Sequence, residues 1–219
     1  MTAVVAVLVE GPTEEAFVNR VLQPHLGHST YLTPIVVHTS RAADGTARRG
    51  GGHWRNYDRH LRRLLAEPHW AMVTTLLDYY GYPDDAPACD CSTEHRQPEC
   101  VESRQNAIRA SLPYDERFEP FISLYEFETL VIAAGSALHA VLGDAGAAAA
   151  FRKLVADCGG NAELIDDGPR TAPSKRVAQV LDGYNKVRDG IAILEDSLGV
   201  ALVAVPHFRA WVARLSELS

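Results

Sequence analysis

No stretch of the 219-residue chain approaches the roughly 18 consecutive apolar residues that a membrane-spanning helix requires, and no basic segment precedes an apolar one at the N-terminus. These absences predict a cytoplasmic protein without a membrane partner. Cysteine is scarce: there are four thiols, and three of them crowd between Cys89 and Cys100. That is too few and too clustered for a disulfide framework. An excess of positive charge is missing as well, and a formal net charge of −7 argues against binding nucleic acid through bulk charge. The basic residues instead gather in one stripe, where Arg41, Arg48, Arg49, Arg55, Arg59, Arg62 and Arg63 stand against only Asp44 and Asp58. Such a stripe can still track phosphate locally, or it can simply be a solvated face.

What the chain does have is apolar mass, 47% of its residues, enough for one sizeable core with a helical appendage. Residues 3–9, Ala-Val-Val-Ala-Val-Leu-Val, are uninterrupted by polar groups and read as a strand buried on both faces. Glu10 closes that strand, Gly11 permits a tight turn, and Thr13 is placed to cap a helix over about 13–23 that carries Glu14 and Glu15 in its first turn. Pro24 and Gly27 should end this helix. A carboxylate at the end of an all-apolar strand is costly unless it meets a partner or a metal, which singles out Glu10. Leu32 to Thr39 reads as a second strand whose Pro34 suits an outer position. Arg41 to Gly52 lacks periodicity and reads as a basic loop.

A helix over about 54–66 turns Tyr57, Leu61, Leu64 and Leu65 inward and Arg55, Arg59, Arg62 and Arg63 outward. Residues 71–77 form a third strand that again ends in an acid, Asp78. In a βαβ pattern, acids ending two such strands come to one edge of the sheet. An insertion over 79–100 follows, in which Cys89, Cys91, His95 and Cys100 could close a tetrahedral zinc site or lie reduced in an exposed loop. After a helix at about 101–110, residues 119–125 read as a fourth strand running into Glu126 and Glu128. Beyond Leu130 only short helices are expected, at 136–142, 147–157, from Ser174, at 187–198 and after Pro206. The division is then an α/β core over 1–132 and a helical cap over 133–219. Lys175 and Arg176 open the helix at Ser174, where cations oppose the helix dipole and call for an anion.

Several stretches in one order resemble a known family. Glu10-Gly11-x-Thr13-Glu14 follows the first strand, Thr74-Thr75-x-x-Asp78-Tyr79-Tyr80-Gly81 spans the end of the third, and Leu124-Tyr125-Glu126-Phe127-Glu128-Thr129-Leu130 follows the fourth. Later come Asp167-Gly168, Thr171 to Arg176, Gly183-Tyr184-x-Lys186 and Pro206-His207-Phe208-x-x-Trp211. Together they resemble the Toprim-like proteins of the domain-of-unknown-function family numbered 4276, over nearly the whole chain. The resemblance implies a Toprim-like α/β fold, a small parallel sheet between helices, shared with topoisomerases, primases and nucleases. In those relatives a glutamate after the first strand and an Asp-x-Asp after the third bind magnesium. Glu10 matches that glutamate, Glu14 the second glutamate of the nuclease-type motif and Asp78 the first aspartate, whereas Tyr80 stands where the second aspartate would be.

The expected activity is therefore a magnesium- or manganese-dependent phosphodiesterase or nuclease acting on DNA or RNA. Glu10, Asp78 and Glu126 would serve as catalytic metal ligands, with Glu14 and Glu128 as further ligands, and the three strand-end acids would converge. Lys175, Arg176, Lys186, Arg55 and Arg59 would bind the substrate's phosphates. By the same resemblance, the setting would be a bacterial anti-phage or DNA-maintenance system, with an ATPase as partner protein. The alternative is a catalytically inactive module that binds nucleic acid or the ATPase, favoured by Tyr80.

Overall fold

The computed structural model describes residues 2–28, 30–41, 47–49, 52–79, 82–88, 98–124, 126–138, 143–165, 168 and 170–218. The chain divides into two compact units, Met1–Ser123 with Leu215–Ser219, and Leu124–Arg214.

The first unit is built on a small, all-parallel sheet. Strand β1 (Ala3–Val9) is followed by α1 (Pro12–Phe17), a π turn (Val18–Leu22) and α2 (Gln23–Leu26), and then by β2 (Thr30–Val36). β1 pairs with β2 on one side and with β5 (Met72–Asp78) on the other, so the longest apolar run is the central strand. Val5 through Val9 are 0% exposed, which requires both faces of the sheet to be covered. On the helical course Phe17, Val18, Val21 and Leu22 are buried, as their spacing predicts. β2 lies at the sheet's edge, where the missing N–H of Pro34 costs nothing.

Local details depart from the sequence reading for identifiable reasons. The cap of α1 is Gly11, in extended backbone, and Pro12 takes the first helical position, so Thr13 is already inside the helix and makes no capping bond. Pro24 does not end the helical course, because it falls in the first turn of α2, where no N–H is needed. Gly27, at φ +70°, does end it. The second strand ends at Val36 rather than Thr39, and an antiparallel ribbon of β3 (His38–Arg41) and β4 (Ala47–Arg49) runs from there into the stretch expected to be a plain basic loop, its strands too short to show a period in sequence.

Helix α3 (Trp54–Leu65) buries Trp54, Tyr57, Leu61 and Leu64 and exposes Arg55, Arg59, Arg62 and Arg63. Its C-terminal end is satisfied from a distance: Arg117 donates to the carbonyls of Leu65 at 2.8 Å and Glu67 at 3.0 Å, while pairing with Asp115 at 2.6 Å. Helix α4 (Pro98–Ser111) starts earlier than its apolar pattern suggests. The fourth strand is broken in two, β6 (Phe118–Glu119) and β7 (Ile122–Ser123), both parallel to β5. Pro120 stands at the break, and Thr75 splices it, its hydroxyl donating to the Phe121 carbonyl at 2.6 Å and accepting from the Phe121 N–H at 2.8 Å.

The second unit is helical among the described residues. Helix α5 (Glu128–Ala133) begins inside the segment read as an extension of the strand, and every one of its residues is buried, which explains why the segment carries no amphipathic signature. Around it lie a 3-10 turn (Ala134–Ser136), α6 (Ala145–Asp157), α7 (Pro173–Val180), a π turn (Lys186–Gly190) leading into α8 (Ile191–Ala201), and α9 (Pro206–Ser216). Asp144 caps α6, accepting from Ala147 N–H at 2.9 Å. Of the helix expected at 136–142, residues 139–142 lie outside the described residues.

Candidate functional site

In the first unit, two parallel neighbours deliver their acids to one edge. The register pairs Val9 with Leu76, so Glu10 stands level with Leu77 and Asp78 one residue further along the neighbouring strand, both at the carboxyl end of the sheet. Glu14 joins them from the first turn of α1. Its side chain is 7% exposed and folds back over the turn, with Oε2 lying 3.4 Å from where a Cβ on Gly11 would stand. That is ordinary van der Waals contact, so neither space nor a left-handed backbone demands glycine at this position.

Tyr57 of α3 closes this edge from the side. Its ring is fully buried and stacks on Trp54 at 5.7 Å between centroids, and Trp54 in turn meets Tyr82 at 6.3 Å. The Tyr57 hydroxyl is buried and has no hydrogen-bond partner among the described residues. Its pKa is pushed far up, first by burial and then by the negative charges of Glu10 and Glu14, so the phenol lies within electrostatic reach of both carboxylates. The sequence shows Tyr57 only as an inward-facing helix residue. The available signal was chemical: a phenol on a buried face needs a polar partner.

The other predicted carboxylates belong to the second unit. Glu126 accepts the Ser174 N–H at 2.8 Å and the Ser174 hydroxyl at 3.2 Å. The anion demanded by cations at the start of α7 is thus supplied by the protein itself. Lys175 is exposed, and Arg176 donates from Nε to the Thr171 carbonyl at 2.7 Å. Glu128 is 5% exposed and lies 3.8 Å from Lys186, whose ammonium also sits 5.3 Å from the centre of the Phe127 ring. Near them the Tyr184 phenol is buried, and burial followed by the Glu128 charge raises its pKa. A comparable carboxylate went unnoticed in sequence: Glu163, 4% exposed, accepts from His207 N–H at 2.8 Å and Phe208 N–H at 2.9 Å at the start of α9. The only trace of it was Pro206, which marks a helix start without naming its partner.

Of the zinc candidates, Cys89, Cys91 and His95 lie outside the described residues, as does Tyr80; Cys100 is buried within α4. Among the described residues, no group of three or more His, Cys, Asp and Glu side chains is arranged to hold a metal ion, and no single helix is long and apolar enough to cross a membrane.

No curated protein and no solved structure matches the chain. A family model does, the one described as Domain of unknown function (DUF4276), over residues 9–216. With nearly its whole length covered, the chain belongs to the DUF4276 family.

Proposed function

We propose that this protein is a Toprim-like, divalent-metal-dependent phosphodiesterase that cleaves DNA or RNA, working in a bacterial anti-phage or DNA-maintenance system beside an ATPase. The supporting observation is the carboxyl edge of the sheet, where Glu10 and Asp78 close adjacent parallel strands, Glu14 folds back over the turn, and the buried Tyr57 phenol, without a hydrogen-bond partner among the described residues, lies within electrostatic reach of Glu10 and Glu14.

These residues fit a hard cation that keeps its waters. Magnesium is bound through one or two carboxylates and several water molecules more often than by an all-protein cage, so the lack of a three-residue cluster is compatible with it. A buried phenol within electrostatic reach of Glu10 and Glu14 could supply what such an ion needs next, a hydrogen-bond partner for a coordinated water. Glu10 and Asp78 would hold the ion, with Glu14 as an outer-sphere partner of its waters, and when bound it would polarise a phosphoryl oxygen and lower the pKa of an attacking water. Glu126 and Glu128 already serve Ser174 and Lys186, which favours positioning roles for them inside the second unit. Any role of Lys175, Arg176, Lys186, Arg55 and Arg59 is in neutralising substrate phosphates.

Calorimetric titration with Mg²⁺ and Mn²⁺, run beside cleavage of labelled single- and double-stranded DNA and RNA, tests the proposal. Saturable binding that is lost in Glu10→Ala and Asp78→Ala, together with metal-dependent cleavage, is the expected result. A second reading, an inactive nucleic-acid- or ATPase-binding module, is favoured by Tyr80 standing where the relatives have an acid. Absence of any divalent-ion binding by the intact chain would decide for it.

A further inference from the structure

Most arginines whose partners are visible are held by oxygen. Arg117 has Asp115 and helix carbonyls, Arg62 has Asp58, and Arg188 has Asp189. Arg104 of α4 is held instead by two tyrosines, one of which, Tyr82, also hydrogen-bonds it. Its guanidinium carbon lies over the Tyr79 ring at 5.1 Å and over the Tyr82 ring at 4.8 Å, and its Nε is buried without a hydrogen-bond partner among the described residues. Burial pushes the Tyr82 phenol up to about 12, against the opposing pull of the Arg104 charge and of its hydrogen bond to the phenol. Tyr82 therefore stays neutral, and the two ring faces steady the cation without cancelling it.

The place of this arginine gives it a use. Tyr79 directly follows Asp78, and Tyr82 touches Trp54, which stacks on Tyr57, within electrostatic reach of Glu10 and Glu14. One continuous wall of aromatic rings thus leads from the acidic edge to Arg104, all of it in the first unit. A planar guanidinium oriented by ring faces presents its in-plane N–H groups to a ligand, the geometry that pairs with two phosphate oxygens at once. A buried Nε–H with no partner among the described residues also costs free energy unless something else accepts from it.

We propose that Arg104 is a phosphate-binding residue of the nucleic-acid substrate, oriented by Tyr79 and Tyr82; this rests on the phosphodiesterase reading for its substrate but not for its test. The full chain is mixed with a short fluorescent single-stranded oligonucleotide in EDTA, and anisotropy is followed across a salt series. Arg104→Lys keeps the charge and the stem but loses the planar fork, and Arg104→Met loses both. Loss of a charge-assisted bidentate contact should weaken binding about tenfold or more in Arg104→Met. In the same variant the slope of log affinity against log salt should fall by about 0.7, one single-strand phosphate's worth. Arg104→Lys should lose affinity while keeping the slope. Wild-type affinity and slope in Arg104→Lys, with an unchanged thermal melt, overturn the proposal, and so does a wild-type chain that does not bind the oligonucleotide. Because metal is absent, oligonucleotide binding that depends on Arg104 would stand even if the manganese titration showed no ion binding.

Discussion

Two glutamates of the helical unit solve the same problem, that of the unpaired N–H groups at a helix start, from opposite electrostatic positions. Glu126 is partly exposed and anchors Ser174, so Glu126→Ala should cost about 0.5–2 kcal/mol in urea unfolding, the usual value of a cap, and Glu126→Gln less. Glu163 is enclosed, and removing it leaves two N–H groups unmet, so Glu163→Ala should cost on the order of 2–4 kcal/mol. Burial raises the Glu163 pKa against the lowering effect of its two N–H donors. A folded-state pKa above the unfolded one means that the folded state holds the proton longer, so this contribution is whole below the unfolded value and is lost as pH rises through the folded one. Glu163→Gln should remove that decline, which a pH series of urea midpoints would reveal by its flatter course. Tyr57 offers a cleaner discrimination, since deleting a buried hydroxyl without a hydrogen-bond partner among the described residues should leave stability unchanged or slightly higher. Tyr57→Phe should also weaken Mn²⁺ binding if the phenol meets a metal-bound water, while equal affinity in calorimetry would make the hydroxyl irrelevant to the ion.

Elements here are joined by single side chains where the backbone cannot do the work. The break between β6 and β7 leaves the Phe121 N–H and carbonyl to Thr75, so Thr75→Val, nearly the same in shape, should cost about 2–4 kcal/mol and show it as an earlier urea midpoint. In the helical unit, the turn at Ala134–Ser136 comes so close to α6 that a Cβ on Gly135 would stand 2.3 Å from the Phe151 Cβ. Neither backbone can yield cheaply, so Gly135→Ala should destabilise by about 1–3 kcal/mol, seen as a thermal midpoint lower by roughly 2–4 °C for each kcal/mol.

Taken across the whole molecule, the titrating groups set opposing limits. The Asp115 carboxyl is held low chiefly by its hydrogen bond from Arg117, Asp85 by the Trp54 N–H and Asp189 by Arg188. Their stabilisation is present above the ordinary carboxylate range and is lost as pH falls through their lowered values, the reverse of Glu163. Asp115→Asn should therefore lower stability at neutral pH and make its loss in acid shallower, which a series of melts between neutral and acid pH would show. A bound ion would act on the same balance by mass action. Mn²⁺ at about 100 times its dissociation constant should stabilise the wild type by about 2.7 kcal/mol and leave Glu10→Ala unmoved.

The order of residues by itself determined the two central strands, whose uninterrupted apolar runs suit a sheet covered on both faces, and it determined that Glu10 follows β1 and Asp78 ends β5. It also carried the family, because motif order survives without geometry. Breaks and caps were decided only by tertiary structure: Pro120 could not announce that Thr75 would splice it, nor Pro206 that Glu163 would meet its helix. The same holds for Tyr57 and Arg104, whose surroundings come from strands and helices far away in the chain. Hydrophobic periodicity is a local quantity, whereas the partner of a buried polar group is chosen by whatever the folded chain brings within about 3 Å.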